Sequence, residues 1–287
     1  VRMTKFILFG TLLIEGIGAA ALALYFCPRL GLGEGLYYSV FHSISAFCNA
    51  GFDLMGRNGA FSSLTSAASD WYVNIVIMLL ILLGGLGFFV WHDLLETRGR
   101  CSKMRVQTKL VLVMTAILFL GGTVGFLLLE YNGNAYREMG ASDKLLASMF
   151  QSVTMRTAGF NTVDLAAFSE GSILLMICLM LIGGSTGSTA GGMKMTTAAV
   201  LVLSVISTFK HRKNIECFGR RLEEDIARAA SCIFMMYLVL VLSATIIISA
   251  IESLPVLPVL FETVSAAATV GLTLGITPEL SMVSKLI

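Results

Sequence analysis

Charged residues are scarce in this sequence. Only 13% of its 287 residues are Asp, Glu, Lys or Arg, whereas 56% are hydrophobic and the mean hydropathy is +0.84. Soluble domains carry about 25% charged residues, so the composition excludes an ordinary soluble domain and predicts that the chain lies in a lipid bilayer. The formal net charge of +2 is too small to indicate a nucleic-acid partner.

Metal ligands and catalytic groups are also few. Three isolated histidines, His42, His92 and His211, and six cysteines without a C-x-x-C pair indicate neither a zinc site nor a disulfide framework. The sequence offers no nucleophile with an obvious base, so an intramembrane enzyme is not supported. We expect His42 to order a short helix rather than to perform chemistry.

Long apolar runs are what the sequence has instead. Residues 73–91, 110–129 and 232–251 each run for about 20 residues without a charge, which is enough to cross a bilayer as a helix. Residues 6–26 form a fourth predicted span that contains Glu15. A charge facing lipid at mid-bilayer would cost roughly 2.5–3.5 kcal/mol, so we expect Glu15 to face protein or water.

A fifth predicted span is broken. Apolar residues 173–182 are followed by a polar, glycine-rich segment, after which apolar sequence resumes to Phe209. Neither half is long enough to cross a bilayer alone. We call residues 183–194 the glycine-rich loop. Its candidate functional residues are Gly183, Gly184, Ser185, Thr186, Gly187, Ser188, Thr189, Ala190, Gly191, Gly192 and Lys194.

The connections between the spans are of two kinds. Basic residues cluster before the first span, after the second and after the broken one, and the positive-inside rule places these connections in the cytoplasm. They are Arg2, Lys5, Arg98, Arg100, Lys103, Arg105, Lys109, Lys210, Arg212, Lys213, Arg220, Arg221 and Arg228. The opposite connections, residues 27–72 and 130–172, each contain an apolar stretch too short to cross, which predicts a re-entrant pore helix.

An internal repeat organises these elements. Three related strings begin at Phe41, Phe150 and Phe261, and each places a glycine nine or ten positions later. These glycines are 108 and 112 residues apart, which predicts helix, pore loop, helix units over residues 1–105, 106–220 and 221–287, the last one incomplete. The expected fold class is an all-α integral membrane protein with such units around a central pore.

The end of each string suits a cation pore. Backbone carbonyls can replace an ion's hydration shell without bringing a full negative charge into the membrane, and glycine permits the necessary backbone geometry. A helix carboxyl end carries about half a negative charge and at about 8 Å attracts a monovalent cation by roughly 1 kcal/mol.

We therefore predict an ion selectivity filter, built from three segments that we call the glycine strings. One such string alone could be a simple helix cap, but three at matched spacing favour the pore. Their residues are Asn49, Ala50, Gly51, Phe52, Thr157, Ala158, Gly159, Phe160, Thr269, Val270, Gly271 and Leu272.

At the glycine strings, at the run from Arg156 to Thr162 and at the glycine-rich loop, the sequence resembles the Ktr/Trk/HKT superfamily of potassium transporters. It is most similar to the membrane subunits of bacterial Ktr systems, over essentially the whole chain. The resemblance implies four units around one pore, of which this chain would hold the second, the third and most of the fourth. We therefore expect a fragment of a longer protein.

The resemblance also implies a function. Potassium would enter across the plasma membrane through the glycine strings, and the glycine-rich loop would act as an intramembrane gate. Sodium could be carried too, and the alternative function is a cation-coupled secondary transporter, a sodium/potassium symporter. Lys194 would either repel cations near the pore or extend to the cytoplasmic interface. Asp53 would either concentrate cations or be an ordinary solvated carboxylate.

The partners implied by the resemblance are a second copy of the chain and a cytoplasmic, KtrA-like ring of nucleotide-binding regulatory subunits. A nucleotide would act only through that ring. The basic connections at residues 98–109 and 210–221 would either dock the ring or only set the membrane topology.

Overall fold

The computed structural model describes residues 2–59, 62–212 and 214–287, so Lys213 of the last basic cluster lies outside the described residues. These residues form helices and one short antiparallel hairpin. The helices are α1 Arg2–Leu30, α2 Leu32–Phe47, α3 Trp71–Leu86, α4 Phe88–Glu96, α5 Val106–Glu130, α6 Ala141–Thr154, α7 Glu170–Met180, α8 Met195–Phe209, α9 Glu224–Glu252, α10 Val256–Ala267 and α11 Met282–Leu286. The hairpin pairs β1 Ile215–Cys217 with β2 Arg220–Leu222.

Among the described residues, three helices are long and apolar enough to cross a membrane: α1, α5 and α9. They contain the spans predicted at residues 6–26, 110–129 and 232–251, which are thereby confirmed. Large apolar side chains on these helices are exposed, among them Leu24 at 73% and Leu128 at 78%. Such exposure suits a helix whose solvent is lipid. The broken span is confirmed too, because α7 ends at Met180 and α8 begins only at Met195.

The prediction of one continuous span at residues 73–91 was wrong. The helix breaks at Gly87, where α3 and α4 meet at an angle of 88°. Gly87 has a φ of +86°, a left-handed conformation that glycine adopts without penalty. A Cβ built there would also lie 2.5 Å from the Ser185 hydroxyl oxygen. The cluster of Gly84, Gly85 and Gly87 was the available signal, and a hydropathy window averages over it.

The predicted pore helices are α2, α6 and α10. They contain 16, 14 and 12 residues, whereas a membrane-spanning helix needs about 20. Each packs against the long helix before it, α2 on α1, α6 on α5 and α10 on α9. The chain therefore contains three units of long helix and pore helix. The first two continue into a broken helix, and α11 begins the corresponding element of the third.

A polar contact closes each unit where the helix after the pore loop begins. In the first unit, Arg29 near the end of α1 pairs at 3.6 Å with Asp70, the N-cap of α3. In the second, Glu130 accepts hydrogen bonds from the amide and hydroxyl of Ser169, the N-cap of α7. Glu252 accepts a bond from the N-cap amide of α11 in the third. The same junction thus recurs with different residue types.

Candidate functional site

The three glycine strings share one backbone conformation. Their first residues, Asn49, Thr157 and Thr269, have φ values of +51°, +66° and +57°, and their glycines have +71°, +86° and +84°. A β-branched threonine at positive φ is an outlier because its side chain crowds the backbone. Since it occurs in two of the three strings, the surrounding structure must impose this conformation.

The glycines of the strings converge. A Cβ built on Gly51 would lie 2.5 Å from the carbonyl oxygen of Ala158 and 2.7 Å from Cα of Gly159. A Cβ on Gly159 would overlap the carbonyl oxygen of Val270, whereas one on Gly271 meets no described atom within 4 Å. The first string therefore faces the second and the second faces the third. At Gly51 and Gly159 the backbones are too close to leave room for a side chain, so glycine is required there.

A cavity of about 420 Å³ adjoins all three strings. Gly51, Gly159 and Gly271 line it, together with the carboxyl-bearing residues Asp53 and Asp164. Asp53 therefore lies at the cavity end of the strings. The sequence alone had left open whether its carboxylate concentrates cations or is only solvated. Two carboxylates at one concave surface produce a potential that attracts cations.

A hydroxyl ties the last residue of each string to its own pore helix. In every unit the donor stands on or at the end of the pore helix and the acceptor is that residue's carbonyl oxygen. The pairs are Ser45 with Phe52 at 2.6 Å, Thr154 with Phe160 at 2.5 Å, and Ser265 with Leu272 at 2.7 Å. Because these carbonyls are turned to the helix, the oxygens of the other string residues are the candidates to face an ion.

A second hydroxyl binds each pore helix to the long helix before it. Ser43 donates to the carbonyl oxygen of Glu15 at 2.7 Å, and Ser152 donates to that of Phe119 at 2.8 Å. In the third unit the hydroxyl of Thr263 on α10 pairs with the hydroxyl of Thr245 on α9 at 2.8 Å. The half-buried Glu15 carboxylate also contacts Cys48 Sγ at 3.7 Å, so it faces protein as predicted.

The glycine-rich loop lies where the pore helices meet the glycine strings, at the end opposite the cavity. Thr189 donates to the carbonyl oxygen of Phe47, in the last turn of α2, at 2.8 Å. A Cβ built on Gly191 would overlap the side chain of Thr269, and one on Gly192 would lie 3.3 Å from a side-chain carbon of the second string. The loop therefore touches the end of the first pore helix and the first residues of the second and third strings.

The break between α3 and α4 holds the glycine-rich loop in place. Peptide groups released by the interrupted helix pair with peptide groups of the loop. The bonds run from Ser185 N to Gly85 O at 2.9 Å, from Phe88 N to Gly187 O at 3.0 Å, and from Thr189 N to Gly84 O at 3.4 Å. Sequence reasoning missed this contact because it treated residues 73–91 as one helix. Two broken helices thus satisfy each other's backbone, as a membrane requires.

Two cationic side chains lie close to the strings. The Lys194 ammonium donates to the carbonyl oxygen of Ala190 at 2.7 Å, which holds the charge within the glycine-rich loop. Arg156 directly precedes the second string and is only 3% exposed, and its Nε and Nη1 atoms have no hydrogen-bond partner among the described residues. Its place after α6 puts it where a helix dipole favours a cation. The sequence motif included Arg156 but assigned it no role.

Comparison with known proteins places the chain in a family of cation transport proteins. The sequence model of the family described as "TrkH: Cation transport protein" matches residues 1–287. The chain is 38% identical to the potassium/sodium uptake protein NtpJ of Enterococcus hirae and to the Ktr system potassium uptake protein B of Bacillus subtilis. Each alignment covers 100% of this chain and 63% of the relative, so the chain spans less than two thirds of their length.

One solved structure shows the same fold. The crystal structure of the potassium transporter TrkH from Vibrio parahaemolyticus matches with a TM-score of 0.74 at 20% sequence identity. The match covers 96% of this chain and 56% of the other. An all-α, multi-pass membrane architecture with pore-loop units therefore accounts for the whole described chain.

The close packing of Gly84 against the end of α2 and the glycine-rich loop leads to a prediction about stability. A Cβ at this position would overlap the carbonyl oxygen of Phe47 and lie 2.8 Å from the Thr189 hydroxyl oxygen. We expect Gly84→Ala to destabilise the protein by about 1–3 kcal/mol through overpacking, measured as a lower melting temperature in detergent. Gly121→Ala is the matched control, because a Cβ there meets no described atom within 4 Å. Equal stability of the two variants would contradict this close packing at Gly84.

Proposed function

Because the chain belongs to the TrkH family of cation transport proteins, we propose that it lines a potassium pathway across the plasma membrane and performs no catalytic chemistry. The observation that carries this proposal is the convergence of Gly51, Gly159 and Gly271 at one cavity. Three pore helices reach their strings there, so backbone oxygens and helix dipoles gather around one point. Both features stabilise a dehydrated cation without a full negative charge.

The energies suit conduction. Each helix end contributes roughly 1 kcal/mol of attraction to a monovalent cation at about 8 Å and an effective dielectric near 20. Three such ends, with the string carbonyls, favour entry of the ion but still allow its release. The carboxylates of Asp53 and Asp164 at the cavity would raise the local cation concentration.

Sodium-coupled potassium uptake is a second candidate, because the name of one relative includes both ions. Proteoliposomes with potassium gradients but without sodium distinguish the two. A channel conducts under that condition, whereas a symporter does not.

The proposed filter predicts a loss of uptake in Gly159→Ala. The substitution forces a side chain against the third string at a φ of +86°, so the string must shift. We expect the rate of potassium uptake by proteoliposomes to fall at least about tenfold, the factor that corresponds to roughly 1.4 kcal/mol. Gly121→Ala is again the control. If Gly159→Ala takes up potassium at the parent's rate and selectivity, the glycine strings do not line the potassium pathway.

We further propose that the glycine-rich loop is the gate, since it contacts the end of the first pore helix and the starts of the second and third strings. Thr189→Val removes the bond from this loop to the carbonyl oxygen of Phe47. One such bond contributes about 1 kcal/mol, so we expect potassium flux to rise about fivefold, and further when the loop is shortened. Thr186→Val is the control, because this position is exposed and its hydroxyl pairs only with that of Thr196 among the described residues. Unchanged flux in a loop-shortened variant would exclude gating.

The partners proposed are a second copy of the chain and a ring of nucleotide-binding regulatory subunits like KtrA, through which a nucleotide would act. The basic connection at residues 98–109 lies beside the hairpin, where Lys109 Nζ is 5.9 Å from the centre of the exposed Phe218 ring. The two basic connections thus form one candidate docking surface.

Charge reversal at Arg98, Arg100 and Lys103 tests the docking surface. We expect weaker co-purification with the regulatory subunit, because opposite surface charges no longer meet, while membrane insertion persists. Reversal of Lys144, which lies in the connection predicted to face the other side, is the control. Intact co-purification of the triple variant would mean that these charges only set topology.

A further inference from the structure

One position in each pore helix recurs with a different polar residue. His42, Gln151 and Glu262 each follow the phenylalanine that starts the repeated string. Sequence reasoning assigned no filter role to Gln151 or Glu262. In the first and third units, this residue contacts the segment that leaves the glycine string on the cavity side.

Glu262 makes the most complete contact. Its Oε1 atom accepts hydrogen bonds from the amide of Leu274 at 3.0 Å and from the hydroxyl of Thr273 at 2.5 Å. Its Oε2 atom accepts one from the hydroxyl of Thr277 at 2.7 Å. Leu274 stands three residues after the string glycine Gly271 and also lines the cavity. One carboxylate therefore holds both the backbone and the side chains of the segment beyond the third string.

His42 makes the equivalent contact in the first unit. Its Nε2 atom accepts a hydrogen bond from the amide of Leu54 at 3.4 Å, and Leu54 again stands three residues after the string glycine. Its Nδ1 atom lies 2.7 Å from the carbonyl oxygen of Tyr38 and donates to it. This pair of bonds requires the neutral ring with the proton on Nδ1. The ring is fully buried and stacks on Phe26.

Gln151 occupies this position in the second unit. It is fully buried, and neither amide atom has a hydrogen-bond partner among the described residues. The residue three positions after the string glycine is Thr162, whose buried hydroxyl is likewise without a partner there. Buried polar groups are costly when unsatisfied. The contact made by Glu262 and His42 is therefore not formed in the second unit, where both polar groups are buried without a partner among the described residues.

We propose that Glu262, with His42, positions the outer ends of the third and first glycine strings and thereby sets selectivity for potassium over sodium. Each string is held at its last carbonyl by a pore-helix hydroxyl. In the first and third units this second bond, three residues beyond the glycine, also restrains the following segment. Selectivity depends on the number and stiffness of the coordinating carbonyls. A released string can close around the smaller sodium ion. The inference rests on the proposed potassium pathway.

The test compares two substitutions of Glu262 in the intact protein, reconstituted in proteoliposomes. Glu262→Gln keeps an oxygen acceptor for the Leu274 amide, whereas Glu262→Ala removes it. We expect the potassium-to-sodium flux ratio to fall about tenfold in Glu262→Ala, because a lost bond to a charged group shifts an equilibrium by about that factor. In Glu262→Gln the ratio stays within about twofold of the parent, since the acceptor remains.

Glu279→Ala is the matched control, because it removes the same charge from an exposed residue in the same outer segment. A parent-like ratio in Glu262→Ala, or an equal fall in Glu262→Gln or Glu279→Ala, would overturn the positioning role. If Glu262→Ala does not fold, Thr277→Val removes one donor only, and its ratio should fall about threefold; an unchanged ratio overturns the proposal. A parent protein without potassium flux would refute the proposed function itself, whereas conducting variants with equal ratios refute only this inference.

Discussion

The close approach of the backbones at Gly51, Gly159 and Val270 is the constraint on which the remaining architecture depends. It brings the carboxyl ends of pore helices together, and these ends carry partial charges of the same sign. Such a cluster is unfavourable unless positive groups or hydrogen-bond donors face it. The Thr189 hydroxyl at the end of α2 and the Arg156 side chain after α6 supply part of this compensation. A cation between the strings would supply the rest.

The two interrupted helices follow from the same constraint. Unwound peptide groups in a bilayer must find partners inside the protein, and the break at Gly87 and the glycine-rich loop supply partners for each other. These shared bonds lie next to the starts of the strings. A movement of the α3–α4 break or of the glycine-rich loop would therefore alter the space beside the strings, at the end opposite the cavity. A loop held by a few backbone bonds also costs less to displace than a continuous helix.

The three units achieve one geometry with different chemistry. The contact at the start of the helix after the pore loop is an ion pair in one unit. In the other two units it is a hydrogen bond that a serine donates to a glutamate. The position after the pore-helix phenylalanine holds an imidazole, an amide or a carboxylate. Equivalent backbones with unequal charges make the surroundings of the cavity electrostatically asymmetric, so a bound ion would not experience equal fields from the three strings.

Hydropathy and repetition in the sequence determined the long helices α1, α5 and α9, the short pore helices, the positions of the glycine strings and the break before α8. These features depend on residues near one another in the chain, since span length and helix termination are local properties. The 88° bend at Gly87 was missed because hydropathy is the same for a straight and a bent apolar helix.

Only the tertiary structure decided which groups meet. Ser45 and Ser43 are two positions apart in one helix, yet one binds its own string and the other binds α1. The sequence gives both a hydroxyl, but the partner depends on the direction each side chain takes from the helix. The burial of Arg156 and the bonds of Glu262 likewise depend on neighbours brought close by folding, since such pairings are encoded jointly by segments distant in the chain.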